Sequence, residues 1–281
     1  MQRRLRWIAA LRLVVALVAC AQLGGVRPIH GAGAAPDAGP WKVKTPPAEQ
    51  LNQAADDPTA SLMSLQVADW YTATFHKAPG ADANTVVVRP VVPFRTGPLH
   101  HIVRATVPFI THNPGLDAGL SDIALSDLIV FNRRWGRWGF GPVALFPSGG
   151  SRIGADKWAL GPAIGFTART NRLLWGILNQ NLFSFAGDGA RPDVNASVLQ
   201  PILNLRLGNK WTIGASEMLG TYDWAAGRWS SLPLGLKLAK LVRVSVLRVQ
   251  VSAQYEHDFV DDRVGPANTL RFGLKALFPK W

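Results

Sequence analysis

Apolar and polar residues alternate most regularly near the end of the chain. From Leu247 to Glu256 every odd position is apolar and every even position is polar. Because successive side chains of a β-strand point to opposite faces, this pattern predicts a strand with one apolar and one polar face. After the polar loop Asp258–Asn268, the alternation resumes between Arg271 and Phe278. Two such strands fit a soluble hairpin with one wet face as well as a membrane barrel.

The same rhythm fills the chain from Ala60 onward and gives about twelve runs that resemble strands. The runs are Ala60–Phe75, Thr85–Phe94, Leu99–Thr111, Ser121–Asn132, Arg137–Phe146, Lys157–Arg169, Arg172–Phe185, Asn195–Leu207, Lys210–Tyr222, Trp229–Lys240, Ser245–His257 and Thr269–Phe278. Most of them have about ten residues or slightly more, which is the length of a tilted strand that crosses a bilayer.

The connections between these runs alternate between long and short. The long, mostly polar loops are His76–Asn84, His112–Leu120, Pro147–Asp156, Ala186–Val194 and Asp258–Asn268, and only Asp223–Arg228 is shorter. The tight turns lie around Arg95–Pro98, Arg133–Trp135, Thr170–Asn171, Gly208–Asn209 and Val242–Arg243. If the N-terminus is periplasmic, every tight turn is periplasmic, as in outer-membrane barrels. The sequence therefore predicts an all-β, antiparallel transmembrane β-barrel of about twelve strands over residues 58–281, in the outer membrane of a Gram-negative bacterium.

The composition agrees with a barrel better than with a helical membrane protein. Hydrophobic residues make up 48% of the chain and charged residues 17%, against about 25% charged in a typical soluble protein. No stretch reaches the ~18 apolar residues of a membrane helix. The 27 Gly and 20 Pro residues interrupt the apolar positions, and the 11 Trp residues suit a membrane interface.

The first 21 residues have the layout of a signal peptide, with arginines before a short apolar core. Cleavage after Ala21 would follow the A-x-A rule, whereas Leu17-Val18-Ala19-Cys20 resembles a lipobox that would make Cys20 a lipidated first residue. Both interpretations, cleavage after Ala21 and lipidation of Cys20, stay open. Residues 22–57 are predicted to form a flexible arm with a short helix over Ala48–Asp56. The helix could plug the lumen or lie on the rim, and we expect a loosely held arm.

No cluster of residues predicts a catalytic centre, a metal site or a cofactor, and we expect no enzyme activity. His100 and His101 are neighbours on a strand and would point to opposite faces. His76, His112 and His257 lie where strands meet long loops and are read as scattered rim residues. Ser126 and Ser184 have no histidine near them in the sequence. Asp188, Asp193 and Asn195 do not have EF-hand spacing and predict an ordinary turn.

The polar face of the strands supplies candidates for the lumen. If the leucine faces meet lipid, a set of basic residues points inward, with Glu217 and Glu256 as the acids that join them. These lumen-lining candidates are Arg89, Arg104, Arg206, Lys237, Arg248, Arg271 and Lys275. With few acids to oppose them, these bases predict a preference for anions. Arg248 and Arg271 lie on neighbouring predicted strands and are therefore the best pair of lumen bases to change.

The net charge of +12 raises the possibility of a nucleic-acid partner. The bases are dispersed along the chain and do not cluster on one motif. We therefore expect no nucleic acid, and take outer-membrane lipid and an unidentified small solute as the partners.

Several motifs resemble one family of bacterial outer-membrane proteins. They include Trp138-Gly139-Phe140-Gly141-Pro142 and its echo Trp158-Ala159-Leu160-Gly161-Pro162, and the segments 180–188, 191–195, 199–201, 270–272 and 277–280. From about Ala48 to Trp281 the chain resembles the family named for a proposed role in phenol degradation, some of whose members are mislabelled neuromedin U. The resemblance implies a transporter-like barrel, and recognition of an aromatic C-terminus by the barrel-assembly machinery. It implies no established substrate and no catalytic residue.

The sequence leaves three functions open. The first is a channel or transporter for small solutes, anionic or aromatic. The alternatives are a structural barrel that transports nothing and a barrel enzyme that acts on lipid.

Overall fold

A computed structural model describes residues 48–150 and 152–278 of the chain. Within these ranges, one helix, α1 (Ala48–Ala55), precedes fifteen strands. The strands are β1 (Met63–His76), β2 (Ala83–Thr96), β3 (Leu99–His112), β4 (Gly119–Leu120), β5 (Ile123–Arg133), β6 (Gly136–Phe146), β7 (Lys157–Arg169), β8 (Leu173–Gly187), β9 (Asn195–Gly208), β10 (Trp211–Ala215), β11 (Gly220–Asp223), β12 (Arg228–Ser231), β13 (Pro233–Val244), β14 (Leu247–Asp258) and β15 (Gly265–Phe278). The predicted signal peptide, Cys20, the arm before Ala48 and the terminal Trp281 lie outside the described residues. Within the described part, no helix has the length and apolar content needed to span a membrane.

The strands close into one antiparallel barrel, because the first strand pairs with the last. β1 is bonded to β2 on one side and to β15 on the other. β10 and β11 both pair with β9 and together form one wall strand, and β12 and β13 form the next. With β4 only a short strand beside β3, the wall has 12 strands. The prediction of an antiparallel barrel of about twelve strands is confirmed, and the pairing of β1 with β15 removes the two edges that an open sheet would have.

Alternation along each strand separates the two faces of the wall. On β14, Gln250 and Gln254 are buried inside the barrel, whereas Val251 and Tyr255 are exposed on the outside. Leu234, Leu236 and Leu238 of β13 lie on the outside too, with Leu236 65% exposed. An apolar outer surface of this kind suits contact with lipid.

The two Gly-Pro motifs face each other across β6 and β7. Pro142 lies opposite Pro162 in the register of these strands. Proline has no N–H to donate to a strand ladder, and pairing with the outer neighbours β5 and β8 is interrupted beside each proline. A Cβ atom on Gly141 would lie 1.9 Å from the Asp127 carbonyl oxygen, and one on Gly161 would lie 2.0 Å from that of Asn181. Glycine is therefore required beside both prolines.

The loops differ in length between the two ends of the barrel, as the sequence predicts. At one end the turns span residues 97–98, 134–135, 170–172, 209–210 and 245–246. This is called the short-turn end. At the other end the connections are longer, the shortest being 224–227, and β4 lies within the connection from β3 to β5. Helix α1 precedes β1 at the short-turn end.

One side of the barrel interior is apolar. Eight buried residues of β3 and β5–β9 pack together there: Ile102, Leu128, Val130, Val143, Ala163, Leu174, Leu178 and Ile202. The opposite side, formed by β1, β14 and β15, carries buried polar and charged residues such as Gln66, Gln250, Gln254, Glu256 and Arg271. The interior is therefore amphipathic.

Candidate functional site in the barrel lumen

The segment before the barrel fills the short-turn end of the lumen. We call residues 48–62, which comprise α1 and the chain leading to β1, the plug. Leu51 of α1 is fully buried and packs with Leu241 of β13 and Leu277 of β15. The Asn52 side chain donates a hydrogen bond to the Lys210 carbonyl oxygen at 2.8 Å, and Gln250 Nε2 donates to Asn52 Oδ1 at 2.8 Å. The plug is thus fixed by apolar and polar contacts together.

Ion pairs attach the end of the plug to strands on opposite sides of the barrel. Asp56 pairs with Lys237 of β13, and Asp57 pairs with Arg137 of β6. Thr59 Oγ1 donates to Asp57 Oδ1 at 2.7 Å, and Lys275 Nζ donates to the Ala55 carbonyl oxygen at 2.7 Å. The expectation of a loosely held arm is therefore wrong for residues 48–57. The carboxylates of the plug pair with bases of the lumen, and these pairs hold this part of the arm against the barrel wall.

A break in one wall strand places an acid in the middle of the lumen. Between β10 and β11, residues 216–219 leave the sheet and carry Glu217 inward. Gln254 Oε1 accepts a hydrogen bond from the Glu217 N–H at 3.0 Å, and Glu256 Oε1 accepts one from the Met218 N–H at 2.9 Å. Met218 has a φ of 43°, a left-handed conformation that costs energy for a residue with a Cβ. Side chains of β14 thus replace the missing ladder bonds of the inward segment.

Glu217 is bound by two arginines from neighbouring parts of the wall. Arg89 Nη1 lies 2.6 Å from Glu217 Oε2, and Arg271 Nη1 lies 3.1 Å from the same oxygen. Arg271 Nη2 also lies 2.6 Å from Glu256 Oε2. The guanidinium carbons of Arg271 and Arg89 lie 4.2 Å and 5.0 Å from the ring centroid of Trp70. We call Trp70, Arg89, Glu217, Glu256 and Arg271 the mid-lumen cluster.

Three hydrogen-bond donors of this cluster have no protein partner among the described residues. They are the Nε atoms of Arg89 and Arg271 and the Nε1 atom of Trp70, and all three are buried. Most buried polar atoms in proteins have a partner, and an unmade bond costs about 1–3 kcal/mol. The site is thus rich in unused donors and suits a group that accepts hydrogen bonds.

A cavity of about 80 Å³ separates the plug from the mid-lumen cluster. It is lined from the plug by Asp56, from the cluster by Arg89 and Glu217, and from the wall by Arg104 and Val91. Val91 also packs against the apolar side of the interior. The cavity therefore touches both the charged and the apolar side of the lumen, and is large enough for a few water molecules.

Five of the seven predicted lumen bases lie around this cavity or the cluster. They are Arg89, Arg104, Lys237, Arg271 and Lys275. Arg206 lies at the short-turn end, where its Nη1 donates to the Asn171 carbonyl oxygen at 2.6 Å. Arg248 lies near that end too, opposite Leu277.

Two expectations about the lumen need correction. Arg271 pairs with Gln254, six residues beyond Arg248 on β14, so about 20 Å of strand separates the two arginines. They are not a contacting pair, although their strands are neighbours. The expectation of few inward acids is also wrong, because the plug adds Asp56 and Asp57 to Glu217 and Glu256. The two aspartates lie in an arm that strand alternation does not describe.

No group of three or more potential metal ligands occurs within the described ranges. The rings of His76 and His257 lie 5.9 Å apart at the long-loop end, where His76 Nε2 is 2.8 Å from the Asp258 carbonyl oxygen. His101 Nδ1 lies 2.8 Å from Asp127 Oδ2, while the neighbouring Ile102 faces the interior.

Ser184 bonds to an acid and not to a histidine. Its hydroxyl donates to Asp193 Oδ1 at 3.0 Å, and Lys157 Nζ lies 2.9 Å from the same oxygen. The hydrogen bond from Lys157, and then that from Ser184, hold the pKa of the Asp193 carboxyl below its ordinary value. An ammonium group therefore neutralises this carboxylate, and the triad of a hydrolase is not assembled at Ser184.

The fold and the lumen define a β-barrel of the outer-membrane type. The sequence matches no protein-family model, and no curated protein matches it significantly. Among solved structures, it is similar to an outer-membrane channel from Pseudomonas putida F1, with a TM-score of 0.56 and 12% identity over 86% of this chain and 100% of that one.

Two further solved barrels are similar at lower scores. One is the KdgM porin in complex with disordered oligogalacturonate, with a TM-score of 0.49 and 10% identity over 76% of this chain and 99% of that one. The other is outer-membrane phospholipase A from Escherichia coli, with a TM-score of 0.43 and 11% identity over 82% and 97%. At 12% identity, the similarity to the channel from Pseudomonas putida F1 supports the fold alone. The resemblance to the family named for phenol degradation stays a prediction, as does the absence of enzyme activity.

Proposed function

We propose that this protein is an outer-membrane channel for small anionic solutes that have an apolar body, such as aromatic carboxylates. The observation that carries the proposal is the set of buried donors at Arg89, Arg271 and Trp70 without a protein partner. A carboxylate that passes this point accepts those hydrogen bonds and meets two guanidinium groups. Charge-assisted bonds of this kind are about twice as strong as neutral ones.

The apolar side of the interior supports the proposal that the solute has an apolar body. Ile102, Leu178 and Ile202 lie on the wall across from the charged strands. An aromatic ring gains from contact with that wall, at roughly 25 cal/mol per Å² of apolar surface removed from water. A sugar would lack this gain.

Passage requires the plug to move. The cavity of about 80 Å³ above the plug is too small for an aromatic acid together with its hydration shell. We infer that the plug closes the lumen in this conformation and that movement of residues 48–62 opens it.

Current measurements in planar bilayers test the proposal. Under a salt gradient the reversal potential should indicate a preference for anions. The preference should shrink at higher salt, since the Debye length falls from ~10 Å at 0.1 M to ~3 Å at 1 M. Replacing Arg89 and Arg271 together with glutamine should reduce it, whereas Arg152→Gln with Arg263→Gln in the long loops removes the same charge and should not.

Liposome swelling tests the solute class. Benzoate should enter proteoliposomes faster than a sugar of similar size, and the Arg89→Gln and Arg271→Gln double variant should lose that difference. A preference for cations, or a selectivity unchanged in the double variant, would contradict the proposal. Folded protein without any conductance would favour the structural barrel.

A further inference from the structure

The charges in the turns of the short-turn end have one sign. Each of its five turns, taken with the strand residues next to it, contains at least one exposed base. Examples, one for each turn, are Arg95, Arg134, Arg172, Lys210 and Arg243. Residues 95–98, 133–136, 169–172, 208–210 and 243–248 contain no acid. The basic residues thus encircle the barrel.

The long-loop end differs, because its acids and bases occur together. Asp117 pairs with Arg152, and Arg228 pairs with Asp262. Positive charge in excess is therefore a property of one end of the barrel. A repeated charge around the whole circumference suits a partner that surrounds the barrel, as a lipid leaflet does.

An aromatic cluster lies beside the basic turns on the outer surface of the wall. Trp135, Trp138, Phe166 and Trp175 are consecutive contacts across β6, β7 and β8. The ring centroids are 5.7 Å apart for Trp135 and Trp138, 4.8 Å for Trp138 and Phe166, and 5.3 Å for Phe166 and Trp175. Trp138 lies next to Gly139, which faces the interior against Leu128, so its own ring faces outward. Clusters of tryptophan on this face mark the level of the lipid headgroups.

Arginines of two turns flank this cluster. Arg133 and Arg134 come directly before Trp135, and Arg172 lies three residues before Trp175. All three are exposed. Guanidinium groups bind phosphate oxygens in a bidentate geometry, and tryptophan rings pack against the glycerol and upper acyl region.

We propose that the short-turn end of the barrel binds anionic glycerophospholipid headgroups, with Arg133, Arg134, Arg172 and the aromatic cluster as its main site. Each base near a membrane surface contributes about fivefold to affinity for anionic lipid. In the topology predicted above this end faces the periplasm, so the lipid belongs to the inner leaflet. The binding is independent of the solute that passes the lumen.

Native mass spectrometry of the folded protein tests this site. Detergent-solubilised protein is mixed with equimolar phosphatidylglycerol and phosphatidylethanolamine that have identical acyl chains. The wild type should retain phosphatidylglycerol preferentially. The triple variant Arg133→Gln, Arg134→Gln and Arg172→Gln should lose that preference at least about tenfold, given about fivefold for each base.

Two matched variants define the controls. Arg152→Gln, Arg228→Gln and Arg263→Gln remove three charges from the long-loop end and should keep the preference. The variant Arg133→Lys, Arg134→Lys and Arg172→Lys keeps the charge and should retain most of the preference for phosphatidylglycerol. If the triple glutamine variant does not fold, Arg134→Gln alone should lower the preference about fivefold.

Three results would overturn the proposal. The first is an unchanged preference for phosphatidylglycerol in the triple glutamine variant of the short-turn end. The second is an equal loss of that preference in the long-loop variant. The third is equal binding of both lipids by the wild type, which would leave an acidic periplasmic macromolecule as the partner for the basic turns.

Discussion

At the scale of the residue, Glu217 joins two arginines of the lumen. Its carboxylate contacts Arg89 and Arg271, and both side chains are at least 86% buried given their exposures of 14% and 9%. Breaking a buried ion pair by removing one partner is costly, because the remaining charge stays desolvated. The inward segment of the wall strand therefore supplies the carboxylate that neutralises these two buried arginines.

We expect Glu217→Gln to lower the free energy of unfolding by about 3–5 kcal/mol. Urea unfolding in lipid vesicles, followed by tryptophan fluorescence, measures the change. Asp262→Asn removes a carboxylate from the exposed pair with Arg228 and should cost less than about 1 kcal/mol. Equal effects of the two substitutions would show that Glu217 is not a buried partner of the arginines.

At the scale of the element, the plug and the barrel wall fold against each other through opposite charges. Asp56 and Asp57 reach bases on β13 and β6, which lie on different sides of the lumen. Helix α1 has only eight residues and is too short to be stable alone in water. Its position therefore depends on the contacts that it makes inside the barrel.

Replacing Asp56 and Asp57 with asparagine should release the plug and raise the single-channel conductance severalfold. The strands lose no contact among themselves, so the folded variant should still migrate faster unboiled than boiled on a denaturing gel. Asp117→Asn with Asp262→Asn removes the same charge from the long loops and should leave the conductance unchanged. A conductance equal to that of the wild type would mean that the apolar contacts of Leu51 are sufficient to hold the plug.

At the scale of the whole molecule, the barrel has two unlike ends. The short turns are basic, the longer loops carry both signs, and the plug enters at the short-turn end. Short turns are periplasmic in outer-membrane barrels. The molecule therefore has a defined direction across the membrane.

Cysteine labelling on intact cells checks this direction. Cysteine at Ala190 in the long loops should react with an impermeant thiol reagent. Cysteine at Val246, which is 79% exposed in a short turn, should react only after the outer membrane is opened. The wild type reports any background from Cys20. The reverse pattern would place the basic turns outside the cell and would contradict the assignment of the inner leaflet.

The sequence by itself determined the barrel and the faces of its strands. Side chains alternate with a period of two, and charges are costly on the lipid face, so Arg89, Lys237 and Arg271 could be assigned inward from the apolar residues next to them in the chain. Loop lengths determined which connections lie at the same end. Both properties are local, because a strand needs only its own residues to define its two faces.

The tertiary structure decided what the inward residues do. Glu217 is brought to Arg89 and Arg271 by a break in a wall strand, and no alternation pattern encodes such a break. The docking of Asp57 on Arg137 joins residues 80 positions apart in the chain. The separation of Arg248 from Arg271 follows from the register between β14 and β15. These contacts depend on closure of the barrel, which brings distant residues together in a lumen that exists only when all the strands are paired.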